Sequence, residues 1–329
     1  MKILVTGGAG YIGSHVVKQL GETTPYQISV IDNLSTGFQE AVLYGNFYRL
    51  DLSDFNGVQE FLQREKFDAV IHFAASIVAP ESVTNPLKFY MNNTVNTIHL
   101  LKAAINSGVK KLIFSSTAAV YGEPEEIPIR EDSPLKPINP YGTSKLMVEK
   151  VLADLAYANS DFKYVILRYF NVAGADSKLR IGQFYPVATH LIKILAQVIC
   201  GTRNEFAIFG NDYPTPDGTA IRDYIHVDDL ADAHLKALDY LMDGGQPDCF
   251  NCGYGKGYSV KEVLDAVNKI SGAGINAKIA PRRVGDPSEL VADCNKIKKV
   301  LLWEPQFNDI EFICKTAVDW EKKINSISM

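Results

Sequence analysis

The sequence predicts an α/β protein in which a doubly wound parallel sheet carries a smaller α/β domain at one edge. Three observations predict it. Short β-branched runs alternate with amphipathic stretches through the first half of the chain, the first run breaks into glycines, and the rhythm changes after Asn171.

The first run reads Lys2-Ile-Leu-Val-Thr6, followed by Gly7-Gly8-Ala9-Gly10-Tyr11-Ile12-Gly13 and an amphipathic stretch. This is the strand, turn and helix of a Rossmann-like dinucleotide site. Gly8, Gly10 and Gly13 satisfy G-x-G-x-x-G, while Gly7, Gly10 and Gly13 give G-x-x-G-x-x-G, and the string alone leaves both open. The next run ends on Asp32, nineteen residues beyond Gly13. An acid there suits an adenine ribose, and the following Asn33 and Leu34 place no cation for a 2′-phosphate, which favours NAD over NADP.

Strands are expected at 2–6, 27–31, 46–50, 68–73, 110–115 and 163–169, with helices near 11–21, 53–66, 86–107 and 140–159. Repeated βα units put ligands across the carboxyl ends of the strands. Beyond Asn171, helical runs are expected at 186–200 and 259–271. Residues 223–253 read as a strand and a capped helix that pack back on the first domain. The expected division is therefore 1–171 with 223–253 for the cofactor domain, and 172–222 with 254–329 for the smaller one. The Pro- and Glu-rich stretch 123–139 is expected to loop over the site.

At 329 residues and 47% apolar content, one large and one smaller core can be buried. A net charge of −5 argues against nucleic acid or an anionic membrane as the main partner. No apolar run approaches the roughly 20 residues of a spanning helix, and the N-terminal Ile3-Leu-Val5 is needed as a strand, not as a signal peptide. Five cysteines without a framework pattern suit a reducing cytoplasm. Cys249-Phe-Asn-Cys252 has C-x-x-C spacing but lies in an apolar run with no second pair, so packing is favoured and no metal is expected.

Tyr141 and Lys145 lie four apart in a helical run that follows Pro140, hence on one face. A tyrosine of ordinary pKa about 10 is a poor base at neutral pH, whereas a neighbouring ammonium favours its phenolate. Thr117, at the end of the Phe114-Ser-Ser-Thr117 run, can share a substrate hydroxyl's hydrogen bond. These residues together read as a redox site.

On these residues the chain resembles the extended short-chain dehydrogenase/reductase superfamily, and within it the 4-epimerases of UDP-hexoses. The resemblance spans essentially the whole length. It is carried by Val5–His15, Phe114–Gly122, Tyr141–Lys145, Leu167–Asn171, Ile208–Pro214, Arg222–Val227 and Ala280–Arg283. It implies reversible inversion at C4, with Tyr141 taking the 4-hydroxyl proton, Thr117 and Lys145 assisting, and NAD regenerated each turnover. It further implies NAD contacts from Gly7, Gly10, Tyr11, Ile12, Gly13, Asp32, Asn33, Asp51, Leu52, Phe73, Ala74, Ala75, Asn92, Ser115, Tyr141, Lys145 and Tyr169. UDP-sugar contacts are implied for Thr117, Asn171, Ala207, Phe209, Arg222, Arg283 and Asp286, the two arginines matching the fork geometry that diphosphate oxygens prefer.

Four positions depart from the family pattern. Thr117 stands where serine is common, Ile77 where some members carry lysine, and Thr189-His190 replace an Asn pair. His190 reads either as a contact to the diphosphate or as a structural histidine at a helix end. Leu290 occupies a position that tends to govern admission of a 2-acetamido group, and leucine is intermediate in size. A 4,6-dehydratase would carry Asp-Glu after Thr117, where this chain has Ala118 and Ala119, and a decarboxylase would need a site for a C6 carboxylate that is not evident. A noncatalytic dinucleotide sensor is a rival from another class, against which intact Thr117, Tyr141 and Lys145 argue. The resemblance also implies a homodimer through the helices near 86–107 and 140–159, the first carrying Leu87, Met91, Val95, Ile98, Leu101 and Ile105.

Overall fold

A computed structural model describes residues 1–185, 189–283 and 285–327. The chain opens with six parallel strands, β1 (Lys2–Thr6), β2 (Gln27–Asp32), β3 (Asn46–Arg49), β4 (Ala69–His72), β5 (Lys111–Thr117) and β6 (Lys163–Tyr169). After them come β7 (Asn171–Ala173), β8 (Phe206–Phe209), β9 (Ile221–His226) and β10 (Asp248–Cys252), the last returning to pair with β6. The main sheet runs β10-β6-β5-β4-β1-β2-β3. Its order reverses at β1, so the crevice beside the carboxyl ends of β1 and β4 is the switch point where ligands bind in such sheets.

Both faces of the sheet are covered, which is why its strands are apolar without a polar alternate. Strand alternation sends Ile3, Val5, Ile71, Ile113 and Val165 into one core and Leu4, Val70, Leu112, Phe114 and Ile166 into the other. Helix α1 (Tyr11–Thr23) contributes Val16, Val17 and Leu20 to the first core. The second core is closed by α2 (Phe55–Glu65), whose first turn is capped by the Asp54 carboxylate accepting from Gly57 N at 3.0 Å.

The helix expected over 86–107 is three pieces. After α3 (Ala79–Thr84), a short α4 (Pro86–Phe89) runs into a π-helical turn at Tyr90–Val95 and then α5 (Asn96–Asn106). The wide turn aims Asn93 inward, where its side chain accepts from Ser76 N at 2.7 Å and donates to Ser76 O at 2.9 Å and Ser144 Oγ at 3.0 Å. Leu101, one of the six apolar residues counted on this helix for the homodimer, is buried in the chain's own second core. Helix α6 (Pro140–Ala158) starts where expected, with the Asn139 side chain accepting from Gly142 N at 2.9 Å.

The remaining elements are α7 (Leu191–Ile199), α8 (Val227–Met242), β11 (Gly257–Ser259), α9 (Val260–Ser271), β12 (Ala277–Ala280), β13 (Glu289–Leu290), α10 (Asn295–Val300) and α11 (Ile310–Ile327). Of the helical run expected over 186–200, positions 186–188 lie outside the described residues. Strand β9 is the centre of a second sheet, parallel to β7 and β13 and antiparallel to β11, while β8 and β12 form a separate parallel pair. Helix α8 packs on α1, and α7, α9 and α11 pack on one another. Residues 123–139 are stitched down at Ile129, whose N–H donates to Val291 O at 2.8 Å and whose carbonyl accepts from Asp293 N at 2.7 Å. Among the described residues no helix is long and apolar enough to cross a membrane, and no cluster of side chains suits a metal ion.

Candidate active site

The glycine turn is built on three approaches of backbone to backbone. Gly7 has φ +71°, its N–H donates to Ile31 O at 2.8 Å, and a Cβ there would lie 2.6 Å from Ala74 N. A Cβ on Gly13 would lie 2.3 Å from Gly7 O, so α1 can pack on the turn only with glycine there. Gly8 faces inward, its missing Cβ filled by Val30 at 2.7 Å, whereas Gly10 caps α1 and meets only Gly7 O at 3.2 Å. Gly7, Gly10 and Gly13 approach backbone, Gly8 packs against side chains, and Gly10 is the N-cap of α1, the helix N-terminus of the turn.

Asp32, at the end of β2, is 9% exposed and accepts from Ala9 N at 3.1 Å and Leu34 N at 2.8 Å. Burial raises its carboxyl pKa and these two donors oppose the rise. Asn33 donates to Asp51 at 2.7 Å, and Asp51 is held below the usual carboxylate range by the Ser53 hydroxyl first and Asn33 after it. Leu52 is buried beside them, and Ile12 packs against the core. The Tyr11 hydroxyl donates to Gly174 O at 2.6 Å, so that side chain ties α1 to the segment after β7. Phe73 packs on His234 with ring centroids 4.8 Å apart, Ala74 and Ala75 follow it, and Asn92 donates to Ser76 Oγ at 3.0 Å.

The reactive groups meet at the end of β5. Thr117 Oγ1 accepts from Ala119 N at 3.1 Å and hydrogen-bonds the Tyr141 phenol. Burial raises the Tyr141 pKa, and the Thr117 bond pulls it back. Lys145 is 3% exposed, its Nζ 2.7 Å from Ser115 O and 3.4 Å from Ser115 Oγ, over the Phe114 ring. Burial lowers its pKa to about 7, opposed by Glu149 one turn on. Tyr169 ends the neighbouring β6, and its phenol is raised in pKa by burial and pulled back by the Ser115 side chain.

A second group of side chains lies on the smaller sheet. Arg222 is ion-paired to Asp286 and donates to Pro287 O and Ile221 O, each at 2.7 Å. Arg283 stacks on Phe209 with its guanidinium carbon 3.9 Å from the ring centroid and has no ion pair among the described residues. Ala207 and Phe209 sit on β8, Asn171 begins β7, and Leu290 is in register with Arg222. His190 precedes α7 beside Gln183 and lines, with Tyr11 and Gly174, a cleft of about 10 Å³.

Several buried polar residues were given no role by the sequence. His72 bridges Thr6 at 2.6 Å and Thr97 at 2.8 Å. Glu149 accepts from Ser116 and pairs with Arg168, which reaches Tyr121 OH at 2.8 Å. His234 bonds Tyr169. Glu149 carried a signal in continuing the four-residue spacing of Tyr141 and Lys145, and Tyr121 and Arg168 lie within the segments Phe114–Gly122 and Leu167–Asn171.

The profile of the NAD dependent epimerase/dehydratase family matches residues 3–253. The chain belongs to this family. It is 50% identical to the UDP-glucose 4-epimerase of Azospirillum brasilense over 329 residues, 98% of this chain and 92% of that one. Among solved structures, the UDP-Glc/GlcNAc 4-epimerase of Campylobacter jejuni is 55% identical with a TM-score of 0.87, covering 98% and 99% of the two chains. The UDP-glucose 4-epimerase of Bifidobacterium longum in complex with NAD+ and UDP is 37% identical with a TM-score of 0.92, covering 98% of each.

Proposed function

We propose that the chain interconverts UDP-glucose and UDP-galactose by inverting C4 through a 4-keto sugar, with NAD as its cofactor. The observation that carries this reading is the joined set of Thr117, Tyr141 and Lys145 at the end of β5, followed by Ala118 and Ala119 in place of an acid pair. Two alanines cannot move the protons of a dehydration, so the chemistry stops at oxidation and reduction.

The turn fits a dinucleotide, because a Cβ at Gly10, the N-cap of α1, would meet one atom, whereas Gly7 and Gly13 are closed in by several backbone atoms. Bound at the glycine turn beside Asp32, NAD would supply the hydride acceptor and donor that inversion at C4 needs. Tyr141 takes the 4-hydroxyl proton and gives it back, Thr117 holds that hydroxyl in line, and the Lys145 ammonium favours the phenolate. Asp32 holds a ribose, and the remaining cofactor contacts are those the resemblance implies. In this reading residues 1–171 with 223–253 serve NAD, and 172–222 with 254–329 serve the UDP-sugar. Arg283, without an ion pair of its own, and Arg222 take the diphosphate, with Asn171, Ala207, Phe209, Asp286 and Leu290 around the nucleotide and sugar and His190 at their margin.

The name of the Campylobacter relative supports extending the reading to the 2-acetamido pair, UDP-GlcNAc and UDP-GalNAc. A homodimer is supported by apolar side chains on the outer helices: Leu87 is 73% exposed, Met91 54% and Met147 42%. Five unpaired thiols support a reducing, cytoplasmic home. The test is incubation of the purified protein with UDP-galactose, UDP-glucose and both acetamido sugars, with products separated by chromatography. Interconversion of the first two is expected, and its absence in protein shown to hold NAD would overturn the reading. Sedimentation at micromolar concentration tests the dimer, which a monomeric mass would exclude.

A further inference from the structure

His234 lies on α8, outside every motif read from the sequence, and is fully buried. Its Nδ1 is 2.8 Å from the Leu230 carbonyl oxygen, which has no hydrogen to give, so Nδ1 must carry one. Burial lowers the imidazole pKa to about 4, which leaves the ring neutral near pH 7 with a single N–H. Nε2 is therefore a bare lone pair, and it faces the Tyr169 hydroxyl. Tyr169 spends its one hydrogen on the histidine. Toward Ser115 it offers only oxygen lone pairs, and a Ser115 hydroxyl bonding the phenol must donate. Lys145 then donates to the Ser115 carbonyl and side chain.

We propose that His234 is a positioning residue that fixes the direction of a hydrogen-bond chain running from Lys145 through Ser115 and Tyr169 to the imidazole and the Leu230 carbonyl, so that Tyr169 presents only an acceptor to the nicotinamide end of the site. This rests on the functional reading of Lys145 given above. A carboxamide amino group is a donor and suits such an acceptor; a carboxamide oxygen does not. Every donor in the chain points away from the reacting centre, so reversing the imidazole would turn Tyr169 into a donor and disturb Ser115, the group that holds the Lys145 ammonium. Phe73 packs on the imidazole at 4.8 Å and keeps water from it.

The first test reads the tautomer without turnover. In protein labelled with 15N histidine, the His234 ring should show a protonated Nδ1 and a bare Nε2, and the Nε2 signal should move in Tyr169→Phe. A protonated Nε2 in the wild type, or no response to Tyr169→Phe, overturns the chain. The second test compares His234→Leu, which fills volume without an acceptor, with His234→Gln, whose amide oxygen can accept from Tyr169. His234→Leu should lower kcat about tenfold with KM for UDP-galactose little changed and should release NAD faster on dilution, and His234→Gln should restore most of both. Equal loss in the two variants, or loss confined to KM, overturns the positioning role. A wild-type protein that holds NAD and lacks epimerase activity would strike the functional reading instead, because the tautomer is measured independently.

Discussion

The Lys145 ammonium sits 2.7 Å from the Ser115 carbonyl oxygen, tying α6 to the last turn of β5. A backbone acceptor at a strand end is as rigid a tether as the fold supplies, and it sets the azimuth of the helix face that also carries Tyr141. The cost is desolvation, which brings the lysine pKa down to about 7. In the proposed mechanism, a phenolate one helical turn away would favour the cation.

Tyr141→Phe removes the proposed proton acceptor and leaves the ring packed against Phe89, whose centroid is 6.4 Å away. The variant should fall at least about a hundredfold in kcat, with NAD and UDP-hexose affinity close to wild type. Near wild-type turnover would remove Tyr141 from the mechanism.

The two ends of the glycine turn should separate folding from binding. In Gly13→Ala the new Cβ meets Gly7 O at 2.3 Å and Gly8 Cα at 2.9 Å, both backbone, and a stability loss of about 1–3 kcal/mol is expected by thermal unfolding of the cofactor-free protein. In Gly10→Ala the Cβ meets a single backbone atom, Gly7 O, at 3.2 Å, so the stability loss should be smaller than for Gly13→Ala while NAD affinity falls. A Gly10→Ala protein that purifies with NAD would contradict the placement of the diphosphate at this turn.

Asp223 gives a pH signature. Its buried carboxylate accepts from Tyr254 N at 2.8 Å, Gly255 N at 2.9 Å and Ala292 N at 3.2 Å, yet burial outweighs these donors and raises its pKa to about 6. The folded state therefore binds this proton more tightly than the unfolded chain does. Its contribution to stability grows as pH falls from about 6 toward the unfolded value and is lost as pH rises through 6, a swing of up to about 3 kcal/mol. Asp223→Asn should lack that swing, so the stability difference between wild type and variant, followed by urea unfolding from pH 7 to pH 4, should shift in favour of the wild type. A difference independent of pH would show that Asp223 does not titrate in this window.

What could be read from the sequence was what lies close along the chain. Gly7 to Gly13, and Tyr141 to Lys145, are local spacings on one turn and one helix, and the alternation of apolar runs exposed the parallel sheet. The π turn at Tyr90–Val95 was not legible, because it depends on Asn93 finding Ser76 and Ser144, side chains brought close by the fold. The Tyr169–His234 bond joins positions 65 apart, and Ile129 is buried against Val291 across an even longer gap. Neither pairing leaves a periodicity. Leu101 shows the same limit from the other side: a stripe of apolar residues looks identical whether its own core or a second chain covers it.

Leu290 lies in β13 in register with Arg222, half-buried against the first core, and so stands beside the arginine proposed to hold the diphosphate. Turning the hexose about that diphosphate sweeps its C2 substituent past a neighbouring wall, and an acetamido group needs more room than a hydroxyl. Leucine lacks the ring and hydroxyl of tyrosine, leaving space that a larger residue would fill. UDP-glucose and UDP-galactose are therefore expected to be the better substrates, with measurable turnover of the acetamido pair. Leu290→Tyr should abolish the second activity while sparing the first, since only the larger substituent crosses the space that the new ring occupies. Steady-state rates on all four sugars decide the matter. If both activities fall together, or if the unaltered protein turns over no acetamido sugar, Leu290 is not the gate, and the limit on C2 must come from another part of the sugar pocket.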